Sequence, residues 1–129
     1  MRLLLDTHVL LWSVLDPEKI SQRGRQLLDD EANESLVSVA SLWEIAIKVS
    51  LGKIVVHGGS FENTIQAGLA DTAATLLPIE VDHLARLVAL PHHHRDPFDR
   101  LLVAQALAEG AVLLSADAGL DTYGVHRAW

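Results

Sequence analysis

Cysteine is absent from the chain, which removes both disulfides and thiolate metal sites from consideration. Basic residues are scarce: 10 Lys and Arg stand against 17 Asp and Glu, a formal charge of -7. Phosphate neutralisation by Lys and Arg supplies most non-specific affinity for nucleic acid, so this balance argues against a simple DNA-binding module. It does not exclude an enzyme acting on nucleic acid, because bound cations reverse the local sign where carboxylates cluster. No apolar run approaches the ~20 residues that span a bilayer, and no Pro-, Gly- or Ser-rich linker, repeat or low-complexity tract divides the sequence. Aromatic residues are few, with 3 Trp, 1 Tyr and 2 Phe. Trp12, Trp43 and Trp129 therefore read as core or interface rather than as stacking platforms for bases.

What the chain does have is apolar material: 129 residues, half of them hydrophobic, enough for one domain over residues 1–129 with a substantial core. The opening Met1-Arg2-Leu3-Leu4-Leu5 starts like a signal peptide, but Asp6 and His8 break it, and it reads as a strand. A cytoplasmic protein is expected.

Short apolar runs alternate with segments of helical spacing. Arg2–Leu5, Ser35–Val37, Thr75–Ile79 and Ala111–Leu114 have strand length, while Ser21–Glu31, Val39–Leu51, Phe61–Ala70, Val81–Leu90 and Phe98–Glu109 carry a helical period. Asp96-Pro97 supplies an N-cap and first helical residue, Gly110 a stop, and Asp82 a start for the helix containing Leu84, Leu87 and Val88. Val125–Arg127 adds a short edge strand. This alternation predicts a parallel sheet covered on both faces, a three-layer α/β/α sandwich.

Four acids interrupt or end apolar runs: Asp6 after Leu3-Leu4-Leu5, Glu44 within Ser41-Leu42-Trp43-Glu44-Ile45-Ala46, Asp99 within Asp96-Pro97-Phe98-Asp99-Arg100, and Asp117 after Leu113-Leu114-Ser115-Ala116. A carboxylate at the edge of a core needs hydrogen bonds or a cation to offset its lost hydration. Each also has a structural explanation. Asp6 and Asp117 serve as N-caps of following helices, and Asp99 suits the third helical position after Asp96. Glu44 forms a capping box with Ser41 and an ion pair with Lys48, although a helix starting at Ser38 would dissolve the box. Against the cap stands the phase of Asp99 with Leu102, Val103 and Ala106, which turns it toward the sheet. In an open parallel sheet, ligands gather beyond the carboxyl ends of the strands, where all four acids could meet. Arg86, Arg95 and Arg100 are candidates for steering a phosphate chain, whereas His92, His93 and His94 read as a solvated loop without metal-ligand spacing.

Taken together, these segments resemble the PIN-domain family, specifically the VapC-type toxins of type II toxin-antitoxin pairs. The resemblance rests on Leu3-Leu4-Leu5-Asp6-Thr7-His8, on Ser38 to Lys48 around Glu44, on His94-Arg95-Asp96-Pro97-Phe98-Asp99-Arg100 continuing to Ala106, and on Leu113-Leu114-Ser115-Ala116-Asp117. It runs the length of the chain. It implies a PIN-like fold and an endoribonuclease dependent on Mg²⁺ or Mn²⁺. It also implies a cognate antitoxin whose tail occupies the acidic pocket, and a homodimer. Asp6, Glu44, Asp99 and Asp117 match the family's acidic quartet, and Ser115 matches its small hydroxyl residue. The chemistry agrees with the residue types, since hard cations prefer carboxylate oxygens and a pair of them can assist phosphodiester hydrolysis.

Two other readings compete. A Mg²⁺-dependent phosphoacceptor or phosphatase would also use a strand-end Asp6, but His8 stands where one such motif wants a second Asp, and no lysine follows Lys53. A non-catalytic partner-binding α/β domain would use the acids only as caps.

Overall fold

A computed structural model describes residues 1–56 and 59–129. Strand β1 (Arg2–Leu5) leads into helix α1 (Thr7–Leu15), a short 3-10 turn (Pro17–Lys19) and α2 (Gln22–Asp29). Then come β2 (Glu34–Ser38), α3 (Val39–Ser50), α4 (Phe61–Thr72), β3 (Thr75–Leu77), α5 (Val81–Ala89), α6 (Pro97–Glu109), β4 (Val112–Leu114), a second 3-10 segment (Ala118–Tyr123) and β5 (Arg127–Ala128). Among the described residues the five strands are all parallel, in the order β3-β2-β1-β4-β5. The chain builds outward from β1 in one direction through β2 and β3, then returns to lay β4 and β5 on the other side. The order thus reverses between β1 and β4, directly beside Asp6 and Ser115.

The period-two alternation of the strands divides the interior into two cores. Leu3, Leu5, Val37 and Leu114 face Val9, Leu10, Leu27, Ile45 and Ile65 on the α1 to α4 side. Leu4, Leu36 and Leu113 face Leu90, Leu102, Val103 and Ala106 on the α5 and α6 side. This is the α/β/α sandwich expected. Gly68 lets α4 approach α1: a Cβ there would lie 2.8 Å from Leu10 Cδ1. Among the described residues no helix is long and apolar enough to cross a membrane.

Three local expectations need correction. Strand β3 stops at Leu77 rather than Ile79, because Pro78 has no N–H to continue the ladder. The last strand is Arg127–Ala128 rather than Val125–Arg127, and Val125 is buried in the core instead. Helix α5 is preceded by Glu80, not capped by Asp82. The Glu80 amide donates to His83 Nδ1 at 3.0 Å, while His83 Nε2 meets Glu109 at 2.9 Å and so staples α5 to α6.

Candidate active site

Asp6 leaves β1 and caps α1, accepting from the His8 amide at 3.0 Å. Its second oxygen accepts the Ser115 hydroxyl from the end of β4 at 2.6 Å. The two strands are tied again by the Asp6 amide donating to the Leu114 carbonyl at 3.0 Å. Burial opposes ionisation of Asp6, yet hydrogen bonds from the His8 ring, the Ser115 hydroxyl and the His8 amide outweigh it and hold its carboxyl below the ordinary range. The His8 imidazole is held above its ordinary value by the same contact. Asp117, two residues beyond Ser115, is exposed and caps the second 3-10 segment through Gly119. Its amide donates to the Ser115 hydroxyl at 3.1 Å, so one serine links two acids. Asp6 and Asp117 line a common pocket of about 220 Å³ with His8 and Trp12.

Glu44 arrives from the other side. Ser38 caps α3, so the Ser41 capping box does not form and Glu44 lies in the second turn. It is buried, accepting from Thr7 Oγ1 at 2.8 Å and pairing with Lys48 Nζ at 2.7 Å. Thr7 also shares a 2.9 Å hydrogen bond with Ser41. This hydroxyl pair was not singled out from sequence; its signal was a threonine directly after the strand-end acid and a serine three residues before Glu44. The Lys48 ammonium is held above its ordinary value by the hydrogen bond to Glu44.

Asp99 stands at the third position of α6, behind the Asp96 cap and Pro97. Its carboxyl is pushed up to about 7, first by burial and then by the charges of Asp96, Asp6, Glu44 and Asp117. A single side chain therefore senses the three other members of the expected quartet. Asp96 is the cap it was expected to be. Arg100, a candidate for steering substrate, is buried, with its guanidinium donating to the carbonyls of Pro91 at 2.6 Å and Leu90 at 3.5 Å. It is a fixed charge holding the loop, whereas Arg95 is exposed.

Among the described residues no three His, Asp or Glu side chains are drawn into a closed ligand group. Lys48 and Thr7 hold Glu44, while Ser115 and His8 hold Asp6. The donor set still fits a hard dication, being made of carboxylate oxygens that repel one another and have a single close ammonium among them. Thiolates, which would favour softer metals, are absent.

Beside the acids runs an apolar groove of about 350 Å³ walled by Trp43, Ile47, Leu87, Phe98 and Leu101. Trp43 and Phe98 meet edge to face at 5.4 Å, and each immediately precedes an acid of the quartet.

The chain is similar in structure to VapBC2 from Rickettsia felis, solved bound to a DNA fragment from its promoter, with a TM-score of 0.76 and 14% identity over 99% of this chain and 98% of that one. It is also similar to VapBC-1 from nontypeable Haemophilus influenzae (TM-score 0.65, 19% identity, 99% and 97% covered). FitAcB from Neisseria gonorrhoeae gives a TM-score of 0.65 at 20% identity, with 97% and 95% covered. No curated protein matches the sequence. The family profile described as PIN domain matches residues 3–125, nearly the whole chain, and the chain belongs to that family.

Proposed function

We propose that the protein is a metal-dependent endoribonuclease of the VapC type, hydrolysing RNA phosphodiester bonds and neutralised by a cognate antitoxin. What supports this reading is that the charges of Asp6, Glu44 and Asp117, carried by three other parts of the chain, all bear on Asp99, and that Asp6 ends β1 beside the reversal of strand order. PIN domains are in general nucleases.

In this mechanism Asp6 and Asp99 would hold Mg²⁺ or Mn²⁺, with Glu44 and Asp117 completing the acidic site. Bound dications supply charge neutralisation at the scissile phosphate and a more acidic attacking water. Ser115 orients Asp6 and Asp117 together, and Thr7 orients Glu44. Lys48 offsets the charge of Glu44. Hydrolysis by water leaves a 5′-phosphate and a 3′-hydroxyl, with no part for the ribose 2′-OH.

Support for an antitoxin partner comes from the toxin-antitoxin complexes among the similar structures. The apolar groove beside a negatively charged pocket suits a segment that pairs apolar side chains with a basic one. Homodimerisation is proposed from the resemblance to the VapC-type toxins. The reading places the protein in the cytoplasm with its substrate. A phosphoacceptor role is disfavoured because His8 stands where one such motif wants a second Asp and no lysine follows Lys53.

The test is incubation of purified chain with total RNA in Mg²⁺, Mn²⁺ or EDTA, with mapping of the cut ends. Discrete cuts bearing 5′-phosphates, abolished by EDTA, are expected. Intact RNA in every lane returns the chain to the non-catalytic partner-binding reading.

A further inference from the structure

The acidic cluster has a basic neighbour. The end of α5, the loop over residues 90–96 and the first turn of α6 enclose a pocket of about 680 Å³. Its walls include Val88, His92, His93, His94, Arg95 and Arg100, and no Asp or Glu lines it. In a chain of -7 formal charge, this is an unusual gathering of cations and imidazoles.

Two details point to an anion. The Arg100 guanidinium is buried and bonded only to the neutral carbonyls of Pro91 and Leu90, with no carboxylate among the described residues within ion-pair distance. Buried charges are ordinarily paired, and an anion in the pocket would supply the missing partner. Arg95 is exposed and likewise free of an ion pair among the described residues. Imidazole N–H groups add donors suited to phosphate oxygens, while Leu87, Val88 and Pro97 give an apolar wall against which a ribose or base can lie.

The pocket also lies next to the acids. Arg95 directly precedes Asp96, and Pro97 and Arg100 flank Asp99 in the same helical turn. A Cβ built on Gly119 would be 3.3 Å from His94 Nε2 and 3.0 Å from Asp117 Oδ1, so His94 borders the acid at the far side of the site.

We propose that this pocket binds a nucleotide of single-stranded RNA flanking the scissile bond, with its phosphate held by Arg95, Arg100 and the histidines. The proposal rests on the nuclease reading for its substrate, but its binding test does not. Fluorescence anisotropy of a short single-stranded RNA, in EDTA to stop turnover, is measured at 50 and 200 mM salt for the parent, Arg95→Gln and a His92→Ala, His93→Ala double variant. These side chains are exposed, and thermal melts confirm folding. Loss of one phosphate contact should weaken binding and make the affinity drop between the two salts about threefold less steep for Arg95→Gln. Inorganic phosphate should shift the His92 and His93 ring resonances in the parent and not in Arg95→Gln. With Mg²⁺ restored, both variants should raise KM and leave kcat within about twofold.

Unchanged salt dependence and unchanged KM in both variants would overturn the pocket while leaving the nuclease standing. Phosphate and RNA binding through Arg95 without cleavage in any chain would support the pocket and sink the nuclease. An acidic peptide that displaces RNA while RNA itself ignores Arg95→Gln, or a second copy that covers Val88 and leaves phosphate no access, also overturns it.

Discussion

Replacing Asp99 with Asn should make the metal-free protein more stable and the enzyme inactive, because the charge that the site needs is the charge the fold tolerates least. The carboxyl titrates at about 7 in the fold against an ordinary 3.8. That gap corresponds to roughly 4 kcal/mol at 1.36 kcal/mol per tenfold change. Asp99 is only half-buried, so solvent screening reduces the figure to on the order of 2 kcal/mol. Loss of an acid from the first helical turn returns a few tenths of a kcal/mol. The folded value lies above the unfolded one, so the folded state binds the extra proton and the cost grows as pH rises. It is absent below pH 3.8, accumulates between about 4 and 7, and is complete above 7. In EDTA at pH 8, Asp99→Asn should therefore melt roughly 5 °C above the parent, and the difference should vanish near pH 4. Millimolar Mg²⁺ should raise the parent's Tm and leave the variant's unchanged. Equal melting temperatures at both pH values, or a variant that melts lower at pH 8, would refute the reasoning.

Ser115→Ala removes the 2.6 Å hydrogen bond to buried Asp6 and should cost about 2 kcal/mol at pH 7. Asp6 has a depressed folded value, so this deficit should shrink as pH falls through the acid range, which urea titrations at pH 7 and pH 3.5 would show. Lys48→Met leaves buried Glu44 with only the Thr7 hydroxyl among the described residues and should cost about 1 to 2 kcal/mol, with a larger Tm gain on adding Mg²⁺ than the parent shows. Gly68→Ala crowds Leu10 between α1 and α4 and should lower stability by about 1 to 2 kcal/mol in a thermal melt, while kcat on RNA stays unchanged.

Much of the sandwich could be read from the chain because strands buried on both faces are short continuous apolar runs, and Leu3-Leu4-Leu5 and Val112-Leu113-Leu114 are such runs. Helix α1 was harder to delimit. Val9, Leu10, Leu11, Trp12, Val14 and Leu15 are apolar nearly all round, so no stripe marks its face or its end. The start of α5 was misassigned since its cap uses the ring of His83, which lies inside the helix, rather than a small polar residue before it. Asp96 and Ser38 followed ordinary capping chemistry and were legible. The four acids stood out because each broke an apolar run. The side chains that orient them were less visible: Thr7 and Ser41 look like any helix-end hydroxyls until the fold sets them against Glu44. The setting of Arg100 was hidden in the same way, since a charged residue's sequence neighbours do not show that carbonyls 10 and 9 residues earlier will capture it.

The most direct test is calorimetric titration of Mn²⁺ into the EDTA-stripped chain at pH 7, with parent, Asp6→Asn and Asp99→Asn compared in buffers of different ionisation enthalpy. The account predicts saturable binding by the parent with release of a fraction of a proton, because Asp99 titrates at about 7 and must be ionised to serve as a ligand. Binding should be lost or greatly weakened in both variants. No heat from the parent, or the same isotherm from all three proteins, would contradict it.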